Sequence, residues 1–471
     1  MRIAVIATYT HPSRLPLKEP SIMQSAAPEL IAGLCPDHVD VEIYNEKERA
    51  IPFDRHWDLV LFSYLHSHYE HAKVLSAIFR KRGMKTVAGG RHACLYPQDC
   101  LKHFDAVVVG EPESNILELI KDCETGCTKG IYRNPSSRHL NVRPSRYDLI
   151  DYRTNKKRVP GLEASRGCNF ACNFCVLTGR EKYRFRPVHE VIDEIVFNVR
   201  WNENFFGLAK DKFVFLDNNL GGSPQYLKEL CHALIPLRKI WGCSLSFNIL
   251  RNEELVKLMA KAGCRYVYTG LESLNPESID SMGKGQNSIG EVDRITQKAF
   301  SHGTMVSFGL LIGADGDSNE YLERLPEYLA ELKHAFVTFI GIVCPYPGTP
   351  YFRTLKSEGR IISGVISRDF DGYTLCHQPA QMSPTELIEH YHRLCRHVGS
   401  VRNMLRHCIS SLFSSNAQWY KTIALFSGAE MLSTTKPLLN GRRRYIAGLD
   451  PIEDWDAEQM DKLGILPQLI G

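Results

Sequence analysis

The sequence predicts an α/β protein in three parts: an N-terminal doubly wound, Rossmann-like parallel sheet, then a partial (β/α)6 barrel, then a mainly helical C-terminal region. Three observations predict it. A chain of 471 residues is too long for one ordinary core. From residue 1 to about 125, short apolar runs alternate with stretches of helical spacing. From 161 to about 345 the alternation resumes with a longer period. Strand–helix alternation of this kind means parallel sheets faced by helices.

In the first part (1–125) the strand candidates are 3–7, 39–44, 59–64, 85–89 and 106–109, with helical spacing between them, as at 71–83. Ligands bind beyond the carboxyl ends of such strands. Those ends carry Ser63-Tyr64, Gly89-Gly90-Arg91-His92 and Gly110-Glu111-Pro112-Glu113. Residues 126–160 are polar, with Pro135, Pro144 and a basic cluster at 156–158, and are predicted to be a linker. The barrel (161–350) draws its strands from 162–165, 213–216, 244–247, 266–269, 306–312 and 337–343. The remainder (351–471) is helical from about 375 to 430 and irregular after that.

The net charge of +4 is small for this length, so the composition does not describe a nucleic-acid binder. Arg442-Arg443-Arg444 is read as solvated surface. No apolar run is long enough to span a bilayer, so no membrane partner is expected. The run Ile3-Ala4-Val5-Ile6-Ala7 turns polar at Thr8, which suits a buried first strand and is too short for a signal peptide. Fifteen cysteines without a secretory signal predict reduced thiols and a cytoplasmic location.

The chemistry lies in Glu163-Ala-Ser-Arg-Gly-Cys168-Asn-Phe-Ala-Cys172-Asn-Phe-Cys175. Three cysteines at this spacing can wrap a loop around one corner of an iron–sulfur cluster, which takes thiolate ligands. A [4Fe–4S] cluster so held leaves one iron open. The competing reading is a zinc site, which needs a fourth ligand; His189 is a candidate but falls in a predicted helix well past the loop. His66, His68 and His71, just past a strand end, invite a metal reading too; a solvated loop entering a helix is the expectation there.

With these motifs the chain resembles the radical S-adenosylmethionine (SAM) superfamily, in the group with an N-terminal cobalamin-binding-type domain. The stretch Thr86-Val-Ala-Gly-Gly-Arg-His92, followed by Asp105-Ala-Val-Val-Val-Gly-Glu-Pro-Glu113, is similar to the second half of that domain. Phe215-Leu-Asp217-Asn218-Asn219, Gly270-Leu-Glu272-Ser273 with Met282-Gly-Lys284-Gly285, Gly309-Leu-Leu-Ile-Gly313 and Pro345-Tyr-Pro-Gly-Thr-Pro350 resemble its second, fourth, fifth and sixth barrel-strand motifs.

The resemblance implies roles. Cys168, Cys172 and Cys175 would ligate the cluster, and Phe174 would lie against the SAM adenine through its backbone. Asp217, Asn219 and Glu272 would meet the SAM amino group or ribose; the plain alternatives are a cap for Asp217 and a buried ion pair for Glu272. Gly309 and Gly313 would pack beside the adenosine, with simple strand bending as the alternative. Gly89, Gly90 and Gly110 would let a broad planar ring approach the first sheet. The Asp-x-His-x-x-Gly loop that supplies a histidine to cobalamin is missing; Asp54-Arg55-His56 precedes a strand and lacks the glycine. Members without that loop include some that bind cobalamin and others that do not, so the resemblance offers this cofactor without requiring it.

The activity so implied is reductive cleavage of SAM to modify a small-molecule substrate, with electrons from a flavodoxin- or ferredoxin-type donor. Methyl transfer heads the list if cobalamin binds. Transfer of a 3-amino-3-carboxypropyl group, cyclisation or rearrangement are the alternatives without it. A zinc- or cobalamin-binding protein without catalysis is the rival from another class. No catalytic side chain is assigned.

Overall fold

The structure is a computed structural model that describes residues 1–8, 27–46, 51–135, 140, 144–149, 159–178, 182–199, 211–287 and 289–400. The basic stretches 156–158 and 442–444, and everything predicted beyond 400, lie outside the described residues.

The first sheet has six parallel strands in the order β2-β1-β3-β4-β5-β6. They are β1 (Arg2–Ala7), β2 (Asp40–Asn45), β3 (Leu59–Tyr64), β4 (Lys85–Gly90), β5 (Ala106–Val108) and β6 (Ile131–Tyr132). In β1 the side chains alternate between two cores. Ile3 and Val5 pack with Leu30, Ile116 and Leu119, and Ala4 and Ile6 with Leu75 and Phe79 on the other face. A strand buried on both faces reads as one continuous apolar run, which is why this sheet was readable. Its sixth strand lies within the stretch expected to be a linker, because two residues carry too little pattern to be seen.

Around the second core run β7 (Gly161–Leu162), β8 (Ser165–Arg166), β9 (Arg184–Phe185), β10 (Lys212–Phe215), β11 (Ile240–Ser244), β12 (Cys264–Glu272), β13 (Met305–Ile312) and β14 (Ala335–Ile342). Six of them form a parallel sheet, β14-β13-β12-β11-β10-β7, whose edges β14 and β7 do not pair, so the barrel is open. Two predicted strands shift. The run 162–165 breaks between β7 and β8, because the N–H groups of Ala164 and Ser165 bond the Asp217 carboxylate instead of a neighbouring strand. The strand expected at 244–247 ends at Ser244, and Phe247–Arg251 winds into a 3-10 turn. β8 and β9 pair antiparallel, Ser165 opposite Phe185, and bracket the cysteine loop.

Beyond the barrel, the helix Pro384–Val398 starts at a Ser383–Glu386 capping box and packs Leu387, Tyr391 and Leu394 against Leu322 and Leu325. The two α/β units meet through charge. Arg166 bonds Glu111 at 3.1 Å, Glu113 at 2.9 Å and Glu163 at 2.6 Å, and Arg184 also holds Glu111. Ser367 donates to Glu70 at 2.7 Å, joining the distal segment to the first unit.

Arg186 and Glu194 form an ion pair that is 1% exposed on either side. Glu194 also accepts the Ser145 N–H at 3.1 Å, and Arg186 donates to the Glu163 carbonyl at 2.9 Å. Removing one partner strands a buried charge. Glu194→Ala is expected to cost about 3–5 kcal/mol, seen as a lower urea midpoint by far-UV circular dichroism. An unchanged midpoint would show that the pair contributes nothing.

Candidate active site and cofactor cleft

Gly167, at φ +89°, turns the chain out of β8 into the cysteine loop. The loop closes on itself through Cys175 N–H to the Cys172 carbonyl (3.1 Å), Thr178 N–H to the Cys175 carbonyl (3.2 Å) and the Thr178 hydroxyl to the Cys172 carbonyl (2.6 Å). Its second wall is the turn after β12. Asn173 donates from its backbone to Met282 (3.1 Å) and from its side chain to Ser281 (2.6 Å). The half-buried Phe174 ring packs on the cluster of Ile279, Met282, Tyr351 and Leu355.

Each sulfur faces an N–H donor: Asn219 Nδ2 at 3.8 Å from Cys168, Gln286 Nε2 at 3.6 Å from Cys172, and the Leu177 backbone N–H at Cys175. Burial pushes the Cys172 and Cys175 thiols up; the Lys284 ammonium and these donors pull them down. Burial wins, so both thiols stand above their ordinary range, and it is the iron itself that would draw off their protons. Among the described residues, no group of three or more His, Cys, Asp or Glu side chains, the three cysteines included, is drawn together closely enough to hold a metal ion by itself.

The other expected SAM residues divide. Asp217, 2% exposed, spends its carboxylate on the N–H of Ala164 (3.1 Å), the N–H of Ser165 and the hydroxyl of Ser165 (2.5 Å). It therefore anchors the base of the cysteine loop, and burial pushes it up to about 7 against those donors. Asn219 sits at a sulfur. Glu272 adopts φ +69° at a bulge and pairs with buried Lys284, the ion-pair alternative. A side chain at Gly309 would collide with the Tyr268 hydroxyl. Gly313, at φ +88°, is gripped by Asp317 on its N–H (2.7 Å) and by His377, which donates to its carbonyl (3.1 Å).

Beyond the carboxyl ends of β3, β4 and β5 opens a cavity of about 580 Å³ that reaches the barrel. Leu61, Val87 and Val108 form apolar walls, and Glu163 and Arg166 close the barrel side. Gly110, at φ +98°, has nothing within 4 Å of where a Cβ would stand and lines this cavity. At Gly89 a Cβ would press on the Phe62 carbonyl at 3.2 Å. Gly90 also lines the cavity, and its φ of +98° and the Tyr64 carbonyl against it require glycine for the chain's own packing as well.

Residues 162–335 match the family model described as the radical SAM superfamily. This stretch carries a radical SAM domain. It is 26% identical over 381 residues to the bacteriochlorophyllide d C-12(1)-methyltransferase of Chlorobaculum tepidum, covering 78% of this chain and 81% of that relative. Its fold is that of the methyltransferase TsrM from Kitasatospora setae solved with cobalamin and a [4Fe–4S] cluster (TM-score 0.63, 14% identity, 91% of this chain and 98% of that one). OxsB, a cobalamin-dependent SAM radical enzyme, matches likewise (TM-score 0.64, 14% identity, 100% and 79%).

A radical SAM domain implies a [4Fe–4S] cluster and SAM as cofactors. Among the described residues, no helix is long and apolar enough to cross a membrane. Several residues of this radical SAM site escaped the sequence reading. Gln286 and His377 carry no local signal, since both act through partners distant in the chain. Arg91 donates to the Val176 carbonyl, tying the β4 end to the cysteine loop, and its place beside Gly90 was the available hint.

The histidines past β3 are also not the solvated loop expected. His66 is buried, 2.8 Å from His92 between Nδ1 atoms, with Tyr69 stacked on His92 at 3.6 Å and Phe370 beside His66 at 5.4 Å. His71 is buried against Glu46 at 2.9 Å. These aromatic partners come from distant segments. Burial lowers His66 from 6.5 to about 4 and His92 to about 3. A depressed histidine leaves the unfolded chain binding more protons, so its contribution to stability is present above pH 6.5 and is lost as pH falls towards 4. The thermal midpoint is expected to fall across that window, and less in His66→Phe/His92→Phe. Equal pH slopes in the two proteins would refute this.

Proposed function

We propose that the protein is a cobalamin-dependent radical SAM methyltransferase acting on a small molecule. The observation that carries this reading is the cavity between the strand ends of the first sheet and the barrel, lying beside a loop of three donor-facing sulfurs. Cys168, Cys172 and Cys175 hold the [4Fe–4S] cluster. When bound there, the cluster would supply the electron for reductive cleavage of SAM. Asn219 sits at Cys168. The Gly313 turn, held by Asp317 and His377, offers a rigid strand end to the adenosine. On the opposite side, Gly110 and the apolar strand ends would hold cobalamin.

The similarity to a bacteriochlorophyllide methyltransferase supports methyl transfer, and the likeness to TsrM and OxsB supports the paired-cofactor architecture. The domain division follows: 1–125 extended to β6 for cobalamin, and a barrel from 161 for the cluster and SAM. The electron donor is of flavodoxin or ferredoxin type, and the enzyme works in the cytoplasm, where its thiols stay reduced.

After anaerobic reconstitution, Cys172→Ala is expected to lose both cluster absorbance and the slow, reductant-dependent release of 5′-deoxyadenosine from SAM. Cys395→Ala, at a buried cysteine of the helix Pro384–Val398, keeps both. A full cluster in Cys172→Ala would refute the ligand assignment, and release of 5′-methylthioadenosine from wild type would point to aminocarboxypropyl transfer.

His66, the histidine at the end of β3, is engaged with His92, and the first unit lacks the cobalamin-ligating motif. Cobalamin bound here, with its own base displaced from cobalt by the sheet, is therefore expected to give a Co(II) electron paramagnetic resonance spectrum without nitrogen superhyperfine splitting. Clear splitting would overturn the unliganded lower face. Failure to take up cobalamin would remove cobalamin-dependent methyl transfer.

A further inference from the structure

We propose that Gln286 and Asn219 set the reduction potential of the cluster through N–H···S hydrogen bonds to two of its thiolates. This rests on the ligand assignment proposed above. The potential of an iron–sulfur cluster follows its charge, its exposure and the hydrogen bonds to its sulfurs. A donor to sulfur stabilises the reduced cluster more than the oxidised one, because the reduced form carries one more negative charge. Each such bond therefore raises the potential.

Both amides are held in the donating orientation or position by the fold. Asn219, 2% exposed, accepts the Ser246 N–H at its Oδ1 (3.0 Å). An amide has one acceptor end and one donor end, so Nδ2 must face Cys168 at 3.8 Å. Gln286 rides on the turn 281–287, which is pinned on both sides. Asn287 donates to the Gly270 and Leu271 carbonyls at 3.1 and 2.8 Å, and the Asn173 backbone and amide bond Met282 and Ser281. That turn puts Gln286 Nε2 3.6 Å from Cys172. The same turn carries Lys284, whose ammonium lies 6.0 Å from the Phe174 ring centre and whose charge acts on Cys172 and Cys175 in the same direction. Glu272 pairs with Lys284 and partly offsets that charge, which leaves the amides as the neutral, adjustable contribution.

The consequence is a trade. A higher potential makes the cluster easier to reduce by a protein donor and weakens its drive to cleave SAM. Losing an amide should do the reverse, so reduction by a weak donor falls while the reduced cluster cleaves SAM no less readily. An amide that merely fills space would move neither quantity.

The test is potentiometric titration of the reconstituted enzyme, followed by electron paramagnetic resonance of the reduced cluster. Gln286→Leu removes one donor. Asn219→Asp removes the other while keeping an acceptor for Ser246. Both are expected to move the midpoint to more negative potential, and the double variant further than either. Gln286→Glu, which adds a charge of the wrong sign, should move it further than Gln286→Leu. Gln225→Leu, on the exposed face of the helix Pro224–Leu234, should leave it unchanged. Intact clusters with an unmoved midpoint in Gln286→Leu and in the double variant would overturn the proposal. So would loss of iron from both Gln286 variants, because the amide would then hold the cluster and not tune it. Wild-type protein that assembles no [4Fe–4S] cluster would instead refute the ligand assignment, a distinct result from either.

Discussion

A guanidinium buried between two sheets cannot stay charged and unpaired. Arg166, 9% exposed, meets that requirement with three carboxylates: Glu111 and Glu113 from the loop after β5, and Glu163 from the edge of the barrel. Two residues further along the chain stands Cys168. The same charge that needs partners therefore fixes the cysteine loop against the strand ends of the first sheet. Arg184 repeats the link from the far side of the loop, across the β8–β9 ribbon, and Arg91 adds a third tie from the first unit. The cavity takes its barrel-side wall, Glu163 and Arg166, from the same group. These contacts, with Ser367 on Glu70, tie the two α/β units together.

The barrel wall shows how little room is left to chance near the cysteine loop. Gly270 and Gly309 stand opposite each other on β12 and β13. The space that a side chain at Gly309 would need is filled by the Tyr268 hydroxyl, and that at Gly270 by the Glu272–Lys284 pair. Burial raises the Tyr268 phenol above its ordinary range, so it stands in the barrel as a neutral hydroxyl. Glycine here is a condition for bringing polar groups into the barrel, a stronger requirement than strand bending alone.

What the sequence made legible was the local pattern. Continuous apolar runs marked β1, β3 and β13, and the cysteine spacing marked the loop, because each is written within a dozen residues. What it hid was pairing over distance. Asp217 reads as a strand-end carboxylate facing a ligand; its partners, Ala164 and Ser165, lie fifty-odd residues upstream and turn it into an anchor. Glu272 has its answer in Lys284, twelve residues on across a turn. His66 looked solvated until His92, Tyr96 and Phe370 closed over it. Gln286 had no pattern at all, since its role is defined only by the sulfur of Cys172.

In the proposed enzyme, cobalamin and the cluster face each other across one cavity, close enough for their unpaired spins to interact. The enzyme is loaded with cobalamin, poised so that cobalt is Co(II), and its resonance is recorded with the cluster oxidised and diamagnetic, then reduced and paramagnetic. The expected result is a Co(II) signal that broadens and relaxes faster when the cluster is reduced, an effect absent from Cys172→Ala. A Co(II) signal indifferent to the state of an intact cluster would contradict the shared cavity.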